Sequence, residues 1–299
     1  MKKKLIRKLE NVVAIFPVLL ISAFWLSCAE EAGQHSGGTD QVMEEEKSEV
    51  NEVDSKRALL VESIIRSSPT VSETSEIFAV MGSNYNREYI NDIKNVDNYS
   101  TLKDMGINLG VYLSDLGYIT TFEQSQEVIF YMNCAKKMAE GIGVSEVFDE
   151  GTVERMEMNI NDKDSIMDII SHLYWKTDAF LKELDRENIS ALIICGGWIE
   201  GMHIGGRILN DDFDSDIVYA RYKDQESNLK KILRLLDTFE NDENIDYFRN
   251  KLGEIQMDYD SLPKQEIVVK TNDVTNKEKE ILLEITKKVE TIRQEICLL

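Results

Sequence analysis

The chain has 299 residues, of which 34 are Lys or Arg and 55 are Asp or Glu, so its formal net charge is −21. This acidic balance excludes a general nucleic-acid binder, which needs a basic surface to displace counterions, and it disfavours a polybasic attachment to anionic lipid. The chain has only 3 Pro residues and is 42% hydrophobic, which indicates a globular protein of long helices rather than of many short strands.

The N-terminus has the parts of a secretory signal peptide. Met1–Lys8 is basic, residues 12–26 are almost wholly apolar, and Ser27 is a small residue just before the polarity changes. Cys28 directly follows Ser27, and the segment WLSC that it ends resembles the lipobox of bacterial lipoproteins, although Trp25 stands where the family usually has Leu. The resemblance implies cleavage before Cys28, whose sulfur would then carry a diacylglycerol.

Two alternatives remain open for this segment: an ordinary signal peptide cleaved elsewhere, with Cys28 incidental, and an uncleaved anchor helix. A membrane-spanning helix needs about 20 apolar residues, whereas this run is shorter and contains Pro17. Two or more acyl chains hold a protein stably at a membrane, whereas one holds it weakly. We therefore expect a lipid-anchored protein of the cell envelope, at the outer membrane, that faces the periplasm or the cell surface.

Residues 28–52 predict a disordered acidic tether between the anchor and the body. They include three consecutive Glu residues at 44–46 and almost no large apolar side chain. Such a composition cannot bury enough surface to offset the entropy of ordering, and its like charges extend the chain. Acidic residues directly after Cys28 also resemble the export signal of Bacteroidota surface lipoproteins. The expected organisation is a signal peptide over 1–27, the tether over 28–52 and one domain over 53–299.

The body predicts an all-α fold, a single multi-helix bundle or array, because its apolar residues recur at spacings of three and four. Capping boxes, in which Thr is followed three residues later by Glu, predict helix starts at Thr70, Thr120 and Thr275. Residues 189–209 are apolar on nearly every face, which predicts a buried central helix. Only residues 265–270 resemble a strand.

Two predicted helices, 106–118 and 196–207, carry small residues at every fourth position. Gly costs up to about 1 kcal/mol in a helix interior relative to Ala, so several in register require an explanation. Small residues four apart share one face, where a second backbone can approach closely. We therefore expect the two helices to pack tightly against each other through Gly106, Gly110 and Ser114 on the first and Gly197, Gly201 and Gly205 on the second.

The same two helices carry polar residues among apolar ones. A rotation of about 100° per residue places Glu200, His203 and Arg207 on one stripe of the second helix, and Asp115 lies on the first. Buried charges need partners, so we expect these groups to satisfy one another, with Arg207 paired to Asp115 or Glu200. The alternative is a pocket that binds a small polar ligand. Its further residues are Asn108, Tyr112 and Trp198.

Other chemistries lack their sequence signatures. A carboxylate beside His203 could do acid–base work, but no nucleophile accompanies it, so no catalytic residue is assigned. The chain has no P-loop, no dinucleotide-binding glycine motif and no HExxH, and its 3 His predict neither a metal site nor a cofactor. The acidic run that begins at Asp212 has the spacing of a calcium loop, but Ile217 stands at the required Gly, so the run predicts a helix start instead.

The sequence predicts buried thiols at Cys134 and Cys195, which lie in apolar helical stretches. Beyond Cys28 the chain has three cysteines, so at least one of them has no disulfide partner within the chain, and we expect this to be Cys297. His172 and Trp175 fall off the apolar stripe of their helix and are expected at the surface.

Taken together, the chain predicts a non-catalytic binding or scaffolding module tethered to the envelope membrane, with an envelope protein as its partner and no nucleic acid. A lipoprotein that binds a small polar ligand is the alternative, and an enzyme of unknown reaction is third. A cavity lined by the predicted polar residues would favour the alternative, whereas mutual pairing of those residues would favour a structural role.

Overall fold

A computed structural model describes residues 53–64, 66, 84–211, 216–263 and 275–298. These residues belong to one compact unit, and they confirm the all-α prediction, because none of them forms a strand.

Several sequence predictions lie outside the described residues. They are the lipoprotein signal, Cys28, the acidic tether, the capping box at Thr70, the strand-like segment 265–270 and the acidic run at 212–215.

The helices are numbered here in chain order. They are α1 at residues 53–64, α2 at Leu102–Thr121, α3 at Ser125–Gly141, α4 at Glu150–Met158, α5 at Lys163–Glu183, α6 at Glu187–Asp211, α7 at Asp216–Leu236, α8 at Glu243–Asp260 and α9 at Asn276–Cys297. Short 3₁₀ segments occur at Arg87–Tyr89, Ile93–Asp97 and Ser145–Phe148.

Polar side chains cap the starts of several helices, where backbone N–H groups have no partner inside the helix. The Thr101 side chain accepts a hydrogen bond from the N–H of Asp104 at the start of α2. Asp242 accepts from the N–H of Ile245 in the same way at the start of α8. The capping box at Thr275 is confirmed, because both of its hydrogen bonds with Glu278 are present.

The helix start predicted at Thr120 is wrong. Thr120 lies in the last turn of α2, where its hydroxyl donates a 2.7 Å hydrogen bond to the carbonyl of Leu116. Glu123 has a φ of 57° in the turn that follows, and α3 begins at Ser125. The Thr-x-x-Glu pattern does not cap a helix here because the apolar stripe of α2 continues through Ile119, which is fully buried, and holds Thr120 inside that helix.

Helix α6 is the central helix, as its all-round apolar sequence predicts. It packs most extensively against α2 and also contacts α5, α7, α8 and α9. By length and composition, Glu187–Asn210 is the one span among the described helices that could cross a membrane, but 78% of its apolar window is buried inside the domain. That burial identifies it as a core helix of this fold.

Helices α2 and α6 approach closely enough for their backbones to touch, and the contact involves Gly110 of the predicted small-residue face and Gly196, which lies outside that face. A Cβ atom on Gly110 would lie 1.9 Å from the carbonyl oxygen of Ile193, and one on Gly196 would lie 1.9 Å from that of Ile107. Both positions therefore require glycine. The contact fixes the separation of the two helices that carry the predicted polar residues.

Candidate functional site

Two features around α6 are candidate functional sites. The first is a group of charged side chains, here called the buried charge cluster, and the second is a cavity on another face of the same helix. The cluster consists of Asp115 on α2, Glu200 and His203 on α6, and Glu290 and Arg293 on α9.

Glu200 is paired with Arg293, an arginine that the sequence reasoning did not select. Arg293 Nε lies 3.2 Å from Glu200 Oε2, and Nη2 lies 3.3 Å from Oε1, so both carboxylate oxygens accept from the guanidinium. The Glu200 side chain is fully buried and that of Arg293 is 11% exposed. A buried carboxylate held by such a fork has its charge compensated inside the core.

Asp115 lies beside this ion pair, in surroundings that favour its neutral form. Burial raises the pKa of Asp115 well above its ordinary 3.8, and the nearby negative charge of Glu200 raises it further, while Arg293 opposes these effects. One oxygen, Oδ2, accepts the N–H of Asn91 at 3.2 Å. The other oxygen, Oδ1, is buried and has no hydrogen-bond partner among the described residues. On a neutral carboxyl group this oxygen can carry the proton, and the adjacent Glu200 carboxylate favours that neutral form.

The surroundings of His203 favour its neutral form. Its Nδ1 lies 2.6 Å from Glu290 Oε2, and Nδ1–H donates to that carboxylate. Burial lowers the pKa of His203 below its ordinary 6.5 and outweighs the opposing effect of Glu200 and Glu290. Nε2 is buried without a hydrogen-bond partner in the described part of the chain, as expected when the proton of a neutral imidazole sits on Nδ1.

Arg207 is not part of the cluster, so its predicted pairing with Asp115 or Glu200 is wrong. Its guanidinium carbon lies 5.6 Å from the ring centroid of Tyr89, and the side chain is only half-buried. The reason is that α9, which contributes Arg293, reaches Glu200 from another side of α6. One sequence pattern could have identified Arg293 as the partner of Glu200. Arg293 lies four residues after Val289 and three before Ile296, at a core-facing position of the last helix.

Asn108 and Tyr112 are buried next to the cluster but make structural contacts. Asn108 Nδ2 donates to the carbonyl oxygens of Asp104 and Ile296 at 2.9 and 2.8 Å, so it satisfies the C-terminal end of α9. The Tyr112 hydroxyl donates to the carbonyl of Asp92 at 3.3 Å. The Tyr112 ring meets two further tyrosine rings edge-on, those of Tyr99 and Tyr131.

The second feature is a cavity of about 350 Å³ between α1, α2, α5, α6 and α7. Most of its lining is apolar. Among the lining residues are Ile64, Leu113, Met167, Ile170, Trp198, Met202 and Tyr222.

Of the residues predicted from sequence to form a pocket, only Trp198 lines this cavity. Its indole nitrogen is buried and has no hydrogen-bond partner within the described ranges. Sequence reasoning placed Trp198 beside the polar stripe of α6. One residue corresponds to about 100° around a helix, so Trp198 and Glu200 face different neighbours.

Part of the small-residue face lines the cavity instead of packing tightly. A Cβ on Gly201 would meet only the Ser114 hydroxyl, at 3.7 Å, and one on Gly205 would meet the Tyr222 ring at 3.5 Å. These are ordinary contact distances. The predicted tight packing therefore holds at Gly110 but not at Gly201, because α2 and α6 leave space between them beyond Gly197.

The other residues singled out from the sequence lie outside the buried charge cluster. Cys134, Cys195 and Cys297 are all buried free thiols, so Cys297 is buried like the other two. His172 is exposed, as expected, whereas Trp175 is partly buried against the core. Among the residues that the structure describes, no three metal-ligating side chains converge.

In comparisons with known proteins, no family model, no curated protein and no solved structure matches the chain. Its function is therefore inferred from its own residues.

Proposed function

We propose that this protein is a lipid-anchored binding module of the cell envelope that holds a small, mainly apolar molecule in the cavity beside α6. The observation that carries the proposal is the cavity itself, with a volume of about 350 Å³. Pockets that bind small molecules have volumes of about 300–1,000 Å³ and are mostly apolar with a few polar groups. The cavity has both properties.

The buried charge cluster supports a structural role rather than a polar-ligand pocket. Glu200 and Arg293 pair with each other, and His203 pairs with Glu290. None of the residues of the cluster is among those that line the cavity. Its charges hold α2, α6 and α9 together, which fixes one wall of the cavity without taking part in binding.

A small ligand also accounts for the structure better than a protein partner does. The large apolar side chains exposed on the described surface include Leu59 on α1, Phe130 on α3, Met158 on α4 and Met257 on α8. They are distributed over separate helices, and single exposed apolar residues are normal on a protein surface. The cavity is a better-defined site, because its lining converges from several helices.

The binding part of the proposal is tested by filling the cavity. Gly201→Leu places a side chain in the space between α2 and α6, whereas Gly253→Leu places the same side chain on α8 where no atom lies within 4 Å. Naphthalene, a neutral apolar probe of ten carbon atoms, should raise the melting temperature of the wild type and of the Gly253 variant. It should not do so for the Gly201 variant. Equal shifts in all three proteins would contradict binding in this cavity.

The anchoring part rests on the lipobox-like sequence and is tested separately. Intact-mass analysis of the membrane fraction should show a chain that begins at Cys28 and carries acyl groups. Cys28→Ser removes the sulfur that accepts the lipid, so the variant should lose that mass and leave the membrane fraction. Protease treatment of whole cells then distinguishes a surface-facing from a periplasmic domain. A Cys28→Ser protein that matures and sediments like the wild type would contradict the anchor.

A further inference from the structure

The charged and amide side chains that line the cavity come from a single helix. Arg221, Gln225 and Asn228 line the cavity from α7. Their spacing of four and three residues places them on one face of the helix. The other lining residues are mostly apolar or glycine, and the hydroxyl-bearing ones among them lie on α2, α5 and α7: Ser114, Tyr118, Thr121, Ser171, Tyr174 and Tyr222. The site therefore has an apolar body and a polar edge.

Arg221 is the only charged side chain among the described residues that line the cavity. The cavity therefore has a cationic group, although the chain as a whole has a formal net charge of −21. Among the described residues Arg221 forms an ion pair with Asp224, at 4.0 Å, and the two side chains are 50% and 68% exposed. An exposed ion pair at this distance contributes little, so the guanidinium can turn to another anion at small cost.

The amides beside it provide further hydrogen-bonding groups. Asn228 Nδ2 donates to Gln225 Oε1 at 3.1 Å, which orients the two side chains with respect to each other. The second N–H of Asn228 and both N–H groups of Gln225 belong to residues on the same face of α7 as Arg221, and they can donate to a ligand. A planar carboxylate, which accepts hydrogen bonds at two oxygens, matches this set of donors.

We propose, on the basis of the function proposed above, that the ligand is an amphiphile with one carboxylate. Its carboxylate binds Arg221 with the Gln225 and Asn228 amides, and its apolar part lies between Trp198 and Met167. A cavity of about 150 Å³ holds one benzene ring, so about 350 Å³ holds an apolar part and head group of roughly a dozen non-hydrogen atoms. A medium-chain fatty acid or an arylalkanoic acid has this size.

The test compares three ligands with the same ten-carbon chain: decanoate and decylammonium below their critical micelle concentrations, and 1-decanol below its solubility limit. Binding to the purified full-length protein is measured by calorimetry and by the fluorescence of Trp198 in a background in which the other two tryptophans are replaced, Trp25→Phe and Trp175→Phe. We expect decanoate to bind about tenfold more tightly than decanol, as for a hydrogen-bonded charge pair, and decylammonium to bind least.

Variants assign the preference to the polar edge. Arg221→Gln should bring the affinity for decanoate down to that for decanol and leave decanol binding unchanged. Arg234→Gln removes the same charge from an exposed position of α7 that does not line the cavity, and it should leave both affinities unchanged. Gly201→Leu should abolish binding of all three ligands.

The outcomes separate the two proposals. If decanol and decanoate bind equally well, or if decylammonium binds best, while Gly201→Leu still abolishes binding, the carboxylate assignment is wrong and the apolar binding function stands. If the preference for decanoate survives Arg221→Gln but is lost in Arg234→Gln, the head group is bound elsewhere and the assignment is wrong. If none of the three ligands binds and Gly201→Leu changes nothing, the proposed binding function fails together with this inference.

Discussion

Glu200 on α6 and Arg293 on α9 form a two-point ion pair inside the core, with N–O distances of 3.2 and 3.3 Å. The residues are 93 positions apart in the chain. The pair therefore fixes the last helix against the central one. Asp115 on α2 lies close enough to the same carboxylate for its negative charge to raise the Asp115 pKa, so residues of three helices meet at this ion pair.

Breaking this pair from one side should destabilise the protein strongly. Arg293→Met leaves the Glu200 carboxylate buried without its counter-charge, which costs about 3–5 kcal/mol of unfolding free energy. The double variant Glu200→Gln with Arg293→Met removes both charges, so it should recover most of that loss. Urea unfolding followed by circular dichroism measures both effects.

An exposed ion pair on the same helix is the control. Lys287 and Glu284 lie 3.0 Å apart with side chains 74% and 53% exposed, and Lys287→Met should cost less than about 1 kcal/mol. If Arg293→Met were no more destabilising than Lys287→Met, the buried pair would not be the link between α6 and α9.

The cluster also shows how far the sequence alone could go. Helical periodicity identifies Asp115, Glu200 and His203 as polar residues on core faces, and all three are buried. Periodicity repeats within one helix, so it cannot show which distant helix supplies the partner. Arg207 lies on the correct helix and was the nearest arginine in sequence, but the partner is Arg293, which the packing of α9 brings to Glu200.

The same limit applies to the small-residue face. The spacing of glycines predicts a close helix contact, and at Gly110 the contact is so close that the backbones touch. Two straight helices that cross can touch at one region only, and they diverge on either side of it. Whether a given glycine lies at the crossing or beyond it depends on where the two helix axes cross, and the spacing of the glycines does not predict that point. Gly201 lies beyond it and borders the cavity.

Alanine at these two glycines should have opposite effects on stability. At Gly110 the new Cβ would lie 1.9 Å from the Ile193 carbonyl oxygen and 2.7 Å from the Gly197 nitrogen, so the helices must separate, and we expect a loss of at least about 1–3 kcal/mol. At Gly201 the Cβ has room, and replacing a helical glycine should gain up to about 1 kcal/mol.

Gly253→Ala provides the reference for helix propensity alone. Gly253 lies inside α8 with no atom within 4 Å of a new Cβ, so its gain should match that of Gly201→Ala in thermal unfolding. Equal losses at Gly110 and Gly201 would show that both glycines lie in the tight contact, and the cavity would then not extend between them.

The raised pKa of Asp115 predicts a pH dependence of stability. Its pKa is raised by burial and by Glu200, so the folded state binds a proton that the unfolded state has lost above pH 3.8. The stability that this proton provides is therefore fully present below pH 3.8 and decreases as the pH rises toward the pKa of the folded state, by at most about 1.4 kcal/mol per pH unit. His203 acts in the opposite direction below pH 6.5, because burial lowers its pKa.

Asp115→Asn isolates the contribution of this acid. The amide resembles a neutral carboxylic acid, since it can accept from the Asn91 N–H, and it does not titrate. Unfolding free energies at pH 5 and pH 8 should show that the variant gains stability relative to the wild type as the pH rises. Asp164→Asn, at an exposed position of α5, should follow the wild type. A constant difference between Asp115→Asn and the wild type across this range would mean that Asp115 is ionised in the folded protein.

The reactivity of the cysteine thiols depends on their burial in the fold and on lipidation of Cys28. Cys134, Cys195 and Cys297 are buried and unpaired, and burial raises the pKa of Cys134 to about 11 and that of Cys195 to about 12. Because the thiolate is the reactive form, Ellman's reagent at pH 8 should label none of the three in the native protein.

In denaturant, the 4 cysteines of the chain should yield three reactive thiols if the Cys28 sulfur carries lipid and four in protein made without the lipidation machinery. Four thiols in the membrane-derived protein would contradict the anchor, and rapid native labelling would contradict the burial of α3, α6 or α9.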